Sequence, residues 1–252
     1  MSRKDQTKEE FVMGRHPVKE ALQSDREINK IFIQEHISGR AIDEIVRLAK
    51  SNKLVVSFVP KSKLDKLVDY QNHQGVVLAT SPVEYASIDD LFKVAEERNE
   101  RPFFVMLDEI EDPHNLGSII RTADITGVHG VIIPERRSAN VSSTVSKASA
   151  GAIEHVKVAR VTNLNQTIKE LKERGLWIFG TDMDGTDYRK WNTDSPVCIV
   201  IGNEGKGMSR LVKENVDELI TIPMKGNVGS LNASVAASLL MFEVYRNWNP
   251  IQ

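Results

Sequence analysis

The second half of the chain alternates short, continuously apolar runs with segments in which apolar residues recur at helical spacing. The apolar runs between residues 101 and 223 are FFVML, GVII, LWIFGT, CIVIG and ITIP. Helical patterns fill the gaps, at Leu116–Thr126, Ser142–Ala150, Asn163–Arg174 and after Met208. Apolar strands separated by helices are typical of a parallel sheet that is covered on both faces. This region is therefore predicted to be an α/β domain.

A smaller α/β domain is predicted over residues 11–80. Strand patterns at 31–33, 54–59 and 75–79 alternate with helical patterns that begin near Pro17, Ile42 and Lys61. Strands separated by helices indicate a compact α/β unit. Residues 81–86 have neither period and are predicted to be a linker, and a helix capped by Ser87 opens a second domain at 87–252. Residues 1–10 are expected to form a mobile tail.

Composition narrows the class of protein. The 252 residues are 40% hydrophobic and 27% charged, and no apolar run is long enough to cross a bilayer. The charged first residues lack the apolar core of a secretory signal, so the cytoplasm is the expected location. The single cysteine, Cys198, lies in an apolar run, which excludes a disulfide framework and a cysteine-based zinc site within one chain.

The charge distribution gives a weak indication of an RNA partner. A net charge of −2 argues against a protein that simply coats nucleic acid. The first 80 residues are nevertheless slightly basic, and Arg15 and His16 are expected at loops of the smaller domain, where they could contact phosphate. Arg136 and Arg137 follow the GVII strand and are candidates for the same role. Ordinary solvated surface charge is the simpler explanation for Arg15 and His16, and it explains Arg136 and Arg137 equally well.

The segment Ile220–Trp248 is a strand, a glycine-containing loop and a long helix. The loop offers three candidate helix caps, Ser230, Asn232 and Ser234, where one would be enough. The helix behind them carries small residues, so another backbone could lie close to it. A glycine-rich loop that runs into a helix start presents free N–H donors to a polar ligand. An ordinary strand–loop–helix with a redundant cap is the simpler alternative.

Polar side chains also follow two other strands. DEIEDPHNLGSIIRTADITG comes after FFVML, and NEGKGM comes after CIVIG. In open α/β sheets, ligands bind at the carboxyl ends of strands, so these loops and the C-terminal loop are expected to meet. Asn115 and Arg121 are six residues apart and cannot share one helical face, so at least one of them is expected in the loop before the helix.

Common nucleotide and metal motifs are absent from the sequence. GNEGKG has the wrong glycine order for a dinucleotide fingerprint, and no P-loop is present. TDMDGTD lacks the spacing and the closing glutamate of a calcium loop. HExxH is absent, and His114 has no partner at ligand spacing. A dehydrogenase, a P-loop NTPase and a metal hydrolase are therefore disfavoured, and no metal is expected.

Three segments together resemble the signature motifs of the SpoU (TrmH) family of RNA ribose 2′-O-methyltransferases. They are PHNLGSIIRTADITG, IVIGNEGKGM and IPMKGNVGSLNASVAASLLMFE, in that order. The opening FVMGRHPVKEAL and the later HQGVVLA resemble the L30e-like substrate-binding domain of one branch of this family. The resemblance thus covers nearly the whole chain. The most similar branch methylates a guanosine in the peptidyl-transferase loop of 23S rRNA.

The resemblance implies a C-terminal SPOUT domain with a trefoil knot, a homodimer and S-adenosylmethionine as cofactor. The knot would run from about Ile199 to the end, although ordinary folds are essentially free of knots. The implied catalytic residues are Arg121, Asn115, Glu204, Ser230 and Asn232. The implied cofactor-binding residues are Thr181, Gly202, Asn203, Ile222, Met224, Ser230 and Leu231. Surface charge at Glu204 and helix capping at Ser230 and Asn232 are the simpler alternatives.

The implied reaction is attack of a ribose 2′-hydroxyl on a sulfonium methyl group. A guanidinium stays protonated in proteins, so Arg121 is expected to hold the target phosphate and stabilise the alkoxide rather than act as the base. Glu204 is expected to position Arg121 or Asn232. The competing functions are a tRNA ribose methylase, a resistance rRNA methylase, and a non-catalytic RNA-binding factor in ribosome assembly.

Overall fold

The computed structural model describes residues 11–24, 27–227 and 229–251. The tail predicted for residues 1–10 lies outside these ranges. The chain forms two compact units. The first unit takes in the described residues up to Glu84 together with Asn140–Thr144, and the second takes in Tyr85–Ala139 and the chain from Val145 onward. The sequence pattern did not indicate that Asn140–Thr144 belongs to the first unit.

The first unit is a four-stranded mixed sheet with helices on its faces. Its strands lie in the order β1 (Phe11–Met13), β4 (Val76–Thr80), β2 (Ile28–Gln34) and β3 (Val56–Val59). The β2–β3 pair is parallel, and the other two pairs are antiparallel. Its helices are α1 (Arg15–Leu22), α2 (Arg40–Ser51) and α3 (Lys61–Leu67). The three predicted strands are confirmed, and β1 was missed because it is only three residues long.

Two apolar clusters hold the first unit together. Ile31 and Ile33 of β2 point to one side and pack with buried residues of α1 and α2. Val77 of β4 points to the other side and packs with Leu64 of α3. Successive strand residues face opposite sides of a sheet, so the apolar runs in β2 and β4 supply both clusters.

The second unit is a six-stranded sheet in which every pair is parallel, as predicted. The order is β10 (Glu218–Thr221), β8 (Trp177–Asp187), β9 (Val197–Ile201), β5 (Phe103–Leu107), β6 (Gly130–Pro134) and β7 (Lys157–Val161). The order runs outward from β5 to β6 and β7, and on the other side β9 lies beside β5. The carboxyl ends of β5 and β9 are therefore adjacent, with Leu107 opposite Ile201.

Helices cover both faces of this sheet. They are α4 (Ile88–Glu97), α5 (Pro113–Ile125), α7 (Leu164–Glu173), α8 (Arg210–Asn215) and α9 (Ala233–Trp248). Helix α6 (Ser143–Ala148) begins in the segment that belongs to the first unit and ends in the second. Buried residues of α4, α7 and α8 share one apolar cluster with the sheet. Helices α5 and α9 contact each other. A capping box formed by Ser87 and Asp90 begins α4 at the predicted residue.

Three details differ from the sequence-based predictions. Strand β7 was missed because Lys157 and Arg160 interrupt its apolar run. The last strand ends at Thr221, before the predicted Pro223. Helix α5 begins at Pro113, so Asn115 and Arg121 both lie within it and the expected loop position for one of them is wrong. Proline is well tolerated in the first turn of a helix, which extends α5 toward its N-terminus.

No helix among the described residues is long and apolar enough to span a membrane.

A buried histidine joins the starts of β5 and β6. His129 Nδ1 accepts a hydrogen bond from the Phe103 N–H at 3.0 Å, and Nε2 lies 2.8 Å from a Glu100 carboxylate oxygen. The side chain is 1% exposed. Burial lowers the pKa of the His129 imidazole, and the hydrogen bond to Glu100 offsets this effect only in part.

We expect His129 to make stability depend on pH. The ordinary pKa of histidine is 6.5. Below that pH, His129 is protonated in the unfolded chain but stays neutral longer in the folded protein, so the free energy of unfolding falls as pH decreases. The slope for one histidine is at most about 1.4 kcal/mol per pH unit. Urea unfolding between pH 7.5 and 5 should show a shallower decrease for His129→Gln than for the wild type. His155→Gln, at an exposed position of the same unit, is the matched control; an unchanged slope in His129→Gln would contradict this assignment.

Candidate functional site

A cavity of about 360 Å³ lies at the carboxyl ends of the second-unit strands. Its walls are formed by residues 181–184 of β8, by the ends of β9 and β10 with the loops that follow them, and by the first turns of α9. All seven residues predicted to bind the cofactor line it: Thr181, Gly202, Asn203, Ile222, Met224, Ser230 and Leu231. The three segments meet here because β8 lies between β9 and β10 in the sheet. The sheet order thus brings together residues that are far apart in the sequence.

The loop after β9 is a tight turn closed by backbone and side-chain hydrogen bonds. The Asn203 and Gly207 backbones bond to each other in both directions, at 3.0 and 2.8 Å. The Asn203 side-chain oxygen accepts from the N–H groups of Gly205 and Lys206. A Cβ at Gly202 would lie 2.4 Å from the backbone of Gly207 and Met208. Gly202 is therefore required by the close approach of the two ends of this turn.

Acidic residues after β5 anchor the same turn from the neighbouring strand. The buried Asp108 carboxylate accepts a hydrogen bond from the Ser209 N–H at 2.6 Å. The Asn203 side-chain amide donates to the Glu109 carbonyl at 3.2 Å. Sequence reasoning did not assign a role to Asp108 or Ser209. The sequence does show that Asp108 directly follows an apolar strand. A carboxylate buried there without a partner would be costly, so its position indicates a hydrogen-bonding role.

Asn115, Glu204 and Asn232 form a continuous hydrogen-bond network beside the cavity. Asn115 Nδ2 donates to Glu204 Oε1 at 2.5 Å, and Asn232 Nδ2 donates to Asn115 Oδ1 at 2.9 Å. Glu204 Oε1 also accepts from the Ala233 N–H at 3.3 Å. Three of the five predicted catalytic residues are thus in direct contact. The network connects α5, the loop after β9 and the start of α9.

Asn232 is both a network member and the N-cap of α9. Its Oδ1 accepts from the N–H groups of Ser234 and Val235, at 3.0 and 3.3 Å. Helix capping at Asn232 is therefore confirmed, but it is not the whole role of this side chain. The oxygen of the amide caps the helix, while its nitrogen donates to Asn115. Because the amide oxygen and the amide nitrogen each have a partner, the side-chain amide has a single favoured orientation.

Thr181 ties β8 to β9. Its hydroxyl donates to the Val200 carbonyl at 3.1 Å and accepts from the Gly202 N–H at 3.4 Å. The register between β8 and β10 jumps at Leu219 and Ile220, so residues 181–185 leave the regular ladder, and residues 181–184 line the cavity. Burial acts to raise the pKa of the Asp182 carboxyl, but hydrogen bonds from Lys213 and the backbone outweigh it and lower this pKa.

The other two predicted catalytic residues lie outside the hydrogen-bond network. Ser230 is exposed and lines the cavity. Arg121 is exposed on α5, and among the described residues it has no hydrogen bond or ion pair. Glu204 therefore contacts Asn115 and Ala233 rather than Arg121. Arg121 lies about 1.7 helical turns after Asn115 on α5. Because it has no partner among the described residues, its guanidinium is available to a group outside the chain.

The four predicted RNA-binding residues are divided between the two units. In the first unit, Arg15 binds Gln74 through its backbone and its Nε, and His16 is exposed. In the second unit, Arg136 is exposed and Arg137 forms an ion pair with Glu109 at 3.0 Å. Within the described ranges, no group of three His, Cys, Asp or Glu side chains is arranged to hold a metal ion.

The cavity suits a ligand that has both apolar and polar parts. Apolar side chains of Ile220, Ile222 and Leu231 form one part of its lining, and Thr181, Asn203 and Glu204 contribute polar groups. Its volume is within the range of small-molecule sites, about 300–1,000 Å³. An adenosine that carries a charged amino-acid tail has this combination of surfaces. The cavity therefore fits S-adenosylmethionine in size and chemistry.

Two family models match the chain. Residues 102–242 match the SpoU rRNA Methylase family, and residues 11–86 match a model described as RNA 2′-O ribose methyltransferase substrate binding. The chain is 54% identical over 243 residues to YacO of Bacillus subtilis, which is assigned by name to the TrmH family of tRNA/rRNA methyltransferases. The alignment covers 96% of this chain and 97% of YacO.

Two solved structures with bound AdoMet have the same fold. AviRb, a SpoU methyltransferase of Streptomyces viridochromogenes, aligns with a TM-score of 0.59 and 25% identity over 94% of this chain and 90% of that chain. An rRNA methyltransferase of Sinorhizobium meliloti aligns with the same TM-score and identity over 95% of this chain and 87% of that chain. The cofactor of these similar proteins supports S-adenosylmethionine as the ligand of this fold.

We expect the Glu204 carboxylate to stabilise the joined loops. In Glu204→Ala the buried Asn115 amide loses its acceptor, which should lower the free energy of unfolding by about 1–3 kcal/mol. Glu204→Gln retains an oxygen that can accept from Asn115 and should lose less. Urea unfolding at pH 7 measures both effects. Glu214→Ala, at an exposed position on α8, is the control, and equal losses in Glu204→Ala and Glu214→Ala would refute the role of the network.

Proposed function

Because the chain belongs to the SpoU family of S-adenosylmethionine-dependent RNA methyltransferases, we propose that it methylates a ribose 2′-hydroxyl of 23S rRNA. The target within that RNA is a guanosine of the peptidyl-transferase loop. The rRNA assignment is supported by the description of the matching family model and by the near-complete alignment with a named rRNA methyltransferase. The ribose assignment is supported by the model matched over residues 11–86. Because the proposed substrate is ribosomal RNA, the proposed location of the protein is the cytoplasm.

The single observation that carries this proposal is the Asn115–Glu204–Asn232 network beside the cavity. When bound, S-adenosylmethionine supplies an electrophilic methyl group on a sulfonium. The loops after β9 and β10 would hold it at Gly202, Ile222 and Leu231, with Thr181, Asn203, Met224 and Ser230 alongside. The network fixes the position of these loops relative to α5, which carries Arg121.

We assign Arg121 to the RNA rather than to the cofactor. Its guanidinium is exposed and has no partner within the described residues, so it is free to bind a phosphate through its planar fork. The attacking 2′-hydroxyl releases its proton to solvent, and the negative charge that develops on its oxygen is stabilised by a nearby cation. Since arginine stays protonated, Arg121 stabilises this alkoxide and the network positions the surrounding loops.

Close backbone packing supports the proposed trefoil knot. A Cβ at Gly185 of β8 would lie 2.6 Å from the Ile220 backbone of β10. Segments that cross at such short distances need residues without side chains. The knot proposed for Ile199 onward requires this kind of crossing at the carboxyl ends of the strands.

A homodimer through α9 is part of the proposed function. Val235, Leu239, Phe242 and Tyr245 recur along one face of this helix, and each is between 41% and 47% exposed. The opposite face, with Leu240 and Val244, is buried in the unit. A contiguous apolar face exposed on a monomer marks an interaction surface. A second copy would bury this face, and twofold symmetry is the commonest arrangement.

The principal prediction is transfer of labelled methyl from S-adenosylmethionine to unmodified 23S rRNA. We expect label in ribose of 23S rRNA and none in bulk tRNA, with Arg121→Ala reduced by at least about 100-fold because transition-state charge is no longer stabilised. Arg121→Lys should also be strongly impaired, since lysine lacks the planar fork. Nuclease digestion followed by mass spectrometry would place the methyl group.

The controls separate chemistry from substrate choice. Arg210→Ala, at an exposed arginine on α8, should retain full activity. Label confined to tRNA would keep the methyltransferase and overturn the 23S rRNA assignment. Nearly full activity in Arg121→Lys would exclude both roles given to Arg121. Unmodified large ribosomal subunits should be tested beside naked RNA, because an assembled particle is an alternative form of the same substrate.

We expect a charge on the exposed face of α9 to separate the two copies. Phe242→Asp should give a monomer in analytical ultracentrifugation, because an aspartate would be buried against apolar side chains of the partner. Leu211→Asp, at an apolar position on α8 that is 51% exposed, is the matched control and should stay dimeric. A wild-type protein that sediments as a monomer at micromolar concentration would overturn the dimer proposal.

A further inference from the structure

The first unit contains a second cavity, of about 540 Å³, at one end of its sheet. Its lining includes Arg15 at the start of α1, Lys61 and Asp65 on α3, and residues 70–75 of the loop before β4. None of these residues belongs to the cavity of the second unit. A well-formed concavity with several convergent polar groups is a candidate binding site.

A buried histidine holds the loop of this cavity in place. His73 is 4% exposed, and its Nδ1 accepts a hydrogen bond from the Gly75 N–H at 3.0 Å. The ring proton is therefore on Nε2, which lies 3.0 Å from an Asp65 carboxylate oxygen. Lys61 also contacts this carboxylate, at 3.3 Å. The loop is thereby fixed to α3 by side chains rather than by regular secondary structure.

Tyr70 is presented to solvent by an unusual backbone conformation. Asp69 and Tyr70 have φ values of 48° and 61°, in the left-handed region that bulky residues rarely adopt. The Tyr70 N–H donates to the Asp65 carbonyl at 2.7 Å, which holds this turn at the end of α3. The side chain is 75% exposed. Strained backbone that keeps a large aromatic ring out of the core is typical of a binding surface.

The groups around Tyr70 match the chemistry of a nucleotide. Arg15 donates from Nε to the Gln74 carbonyl at 3.3 Å, and its terminal amines have no hydrogen bond within the described residues. The side-chain amides of Gln71 and Asn72 are exposed on the lining and can both donate and accept. Cations, amides and an exposed aromatic ring are the groups that recognise unstacked bases and phosphates.

We propose that this cavity binds one unstacked base of single-stranded RNA, with Tyr70 as the stacking surface. Arg15 and Lys61 contact the flanking phosphates, and Gln71 and Asn72 face the edge of the base. This inference rests on the proposed function for its RNA substrate, and it gives the first unit a specific site for a looped or bulged nucleotide. Duplex RNA keeps its bases stacked inside the helix, so it does not fit this site.

The test measures binding of the full chain to a labelled, unstructured 12-nucleotide RNA by fluorescence anisotropy at fixed salt. Tyr70→Ala should raise Kd by roughly 5- to 150-fold, the range for loss of one stacked base. Tyr70→Phe keeps the ring and should stay within about twofold of the wild type. Phe58→Ala removes another exposed aromatic of the same unit, outside the cavity lining, and should leave Kd unchanged.

Three outcomes would overturn the site. They are an unchanged Kd in Tyr70→Ala, an equal loss in Phe58→Ala, and Tyr70-dependent binding of free GMP as tight as that of the RNA. Circular dichroism of each variant confirms folding, and because Tyr70 is exposed its removal should not unfold the unit.

Methyl transfer assayed on the same variants distinguishes failure of the site from failure of the proposed function. If Tyr70→Ala raises KM for RNA and leaves kcat near the wild-type value, both the site and the proposed function stand. If the wild type methylates RNA and Tyr70→Ala binds it normally, the site fails and the function stands. If no RNA is methylated but oligonucleotide binding depends on Tyr70, the function fails and the site stands.

Discussion

The hydrogen bond between the Asn115 amide and the Glu204 carboxylate is the contact on which the candidate active site depends. It joins α5 to the loop after β9, and the same carboxylate oxygen accepts from the backbone at the start of α9. A carboxylate held by two donors in a partly buried position is costly to leave unpaired, so this contact fixes the three segments together. The cavity walls are built from two of these segments.

Close backbone approach is the second constraint on this region. Gly202 lies where any side chain would overlap the backbone of Gly207 and Met208, and Gly185 lies similarly against Ile220. These glycines allow the irregular part of β8 and the loops after β9 and β10 to meet at one edge of the sheet. The two glycines are thus required for a steric reason. The cavity walls that result present both backbone and side-chain groups to a ligand.

Each unit also contains a buried histidine used in the same way. His129 and His73 both accept a backbone N–H at Nδ1 and face a carboxylate through Nε2. In the second unit this arrangement fixes the starts of two parallel strands. In the first unit it fixes an exposed loop and presents Tyr70. The same local chemistry therefore supports the sheet in one unit and a candidate RNA-binding surface in the other.

The sequence by itself determined the α/β class and the parallel sheet of the second unit, because apolar periodicity is a local property. The residues expected around the cofactor came from the resemblance of three motifs to the SpoU family and stay a prediction. Strand β7 was not predicted, because Lys157 and Arg160 break its apolar pattern. Only the tertiary structure decided that Glu204 contacts Asn115 and that Arg121 is exposed on the same helix. Those partners are set by sheet order and by where α5 begins, and neither can be derived from the spacing of residues along the chain.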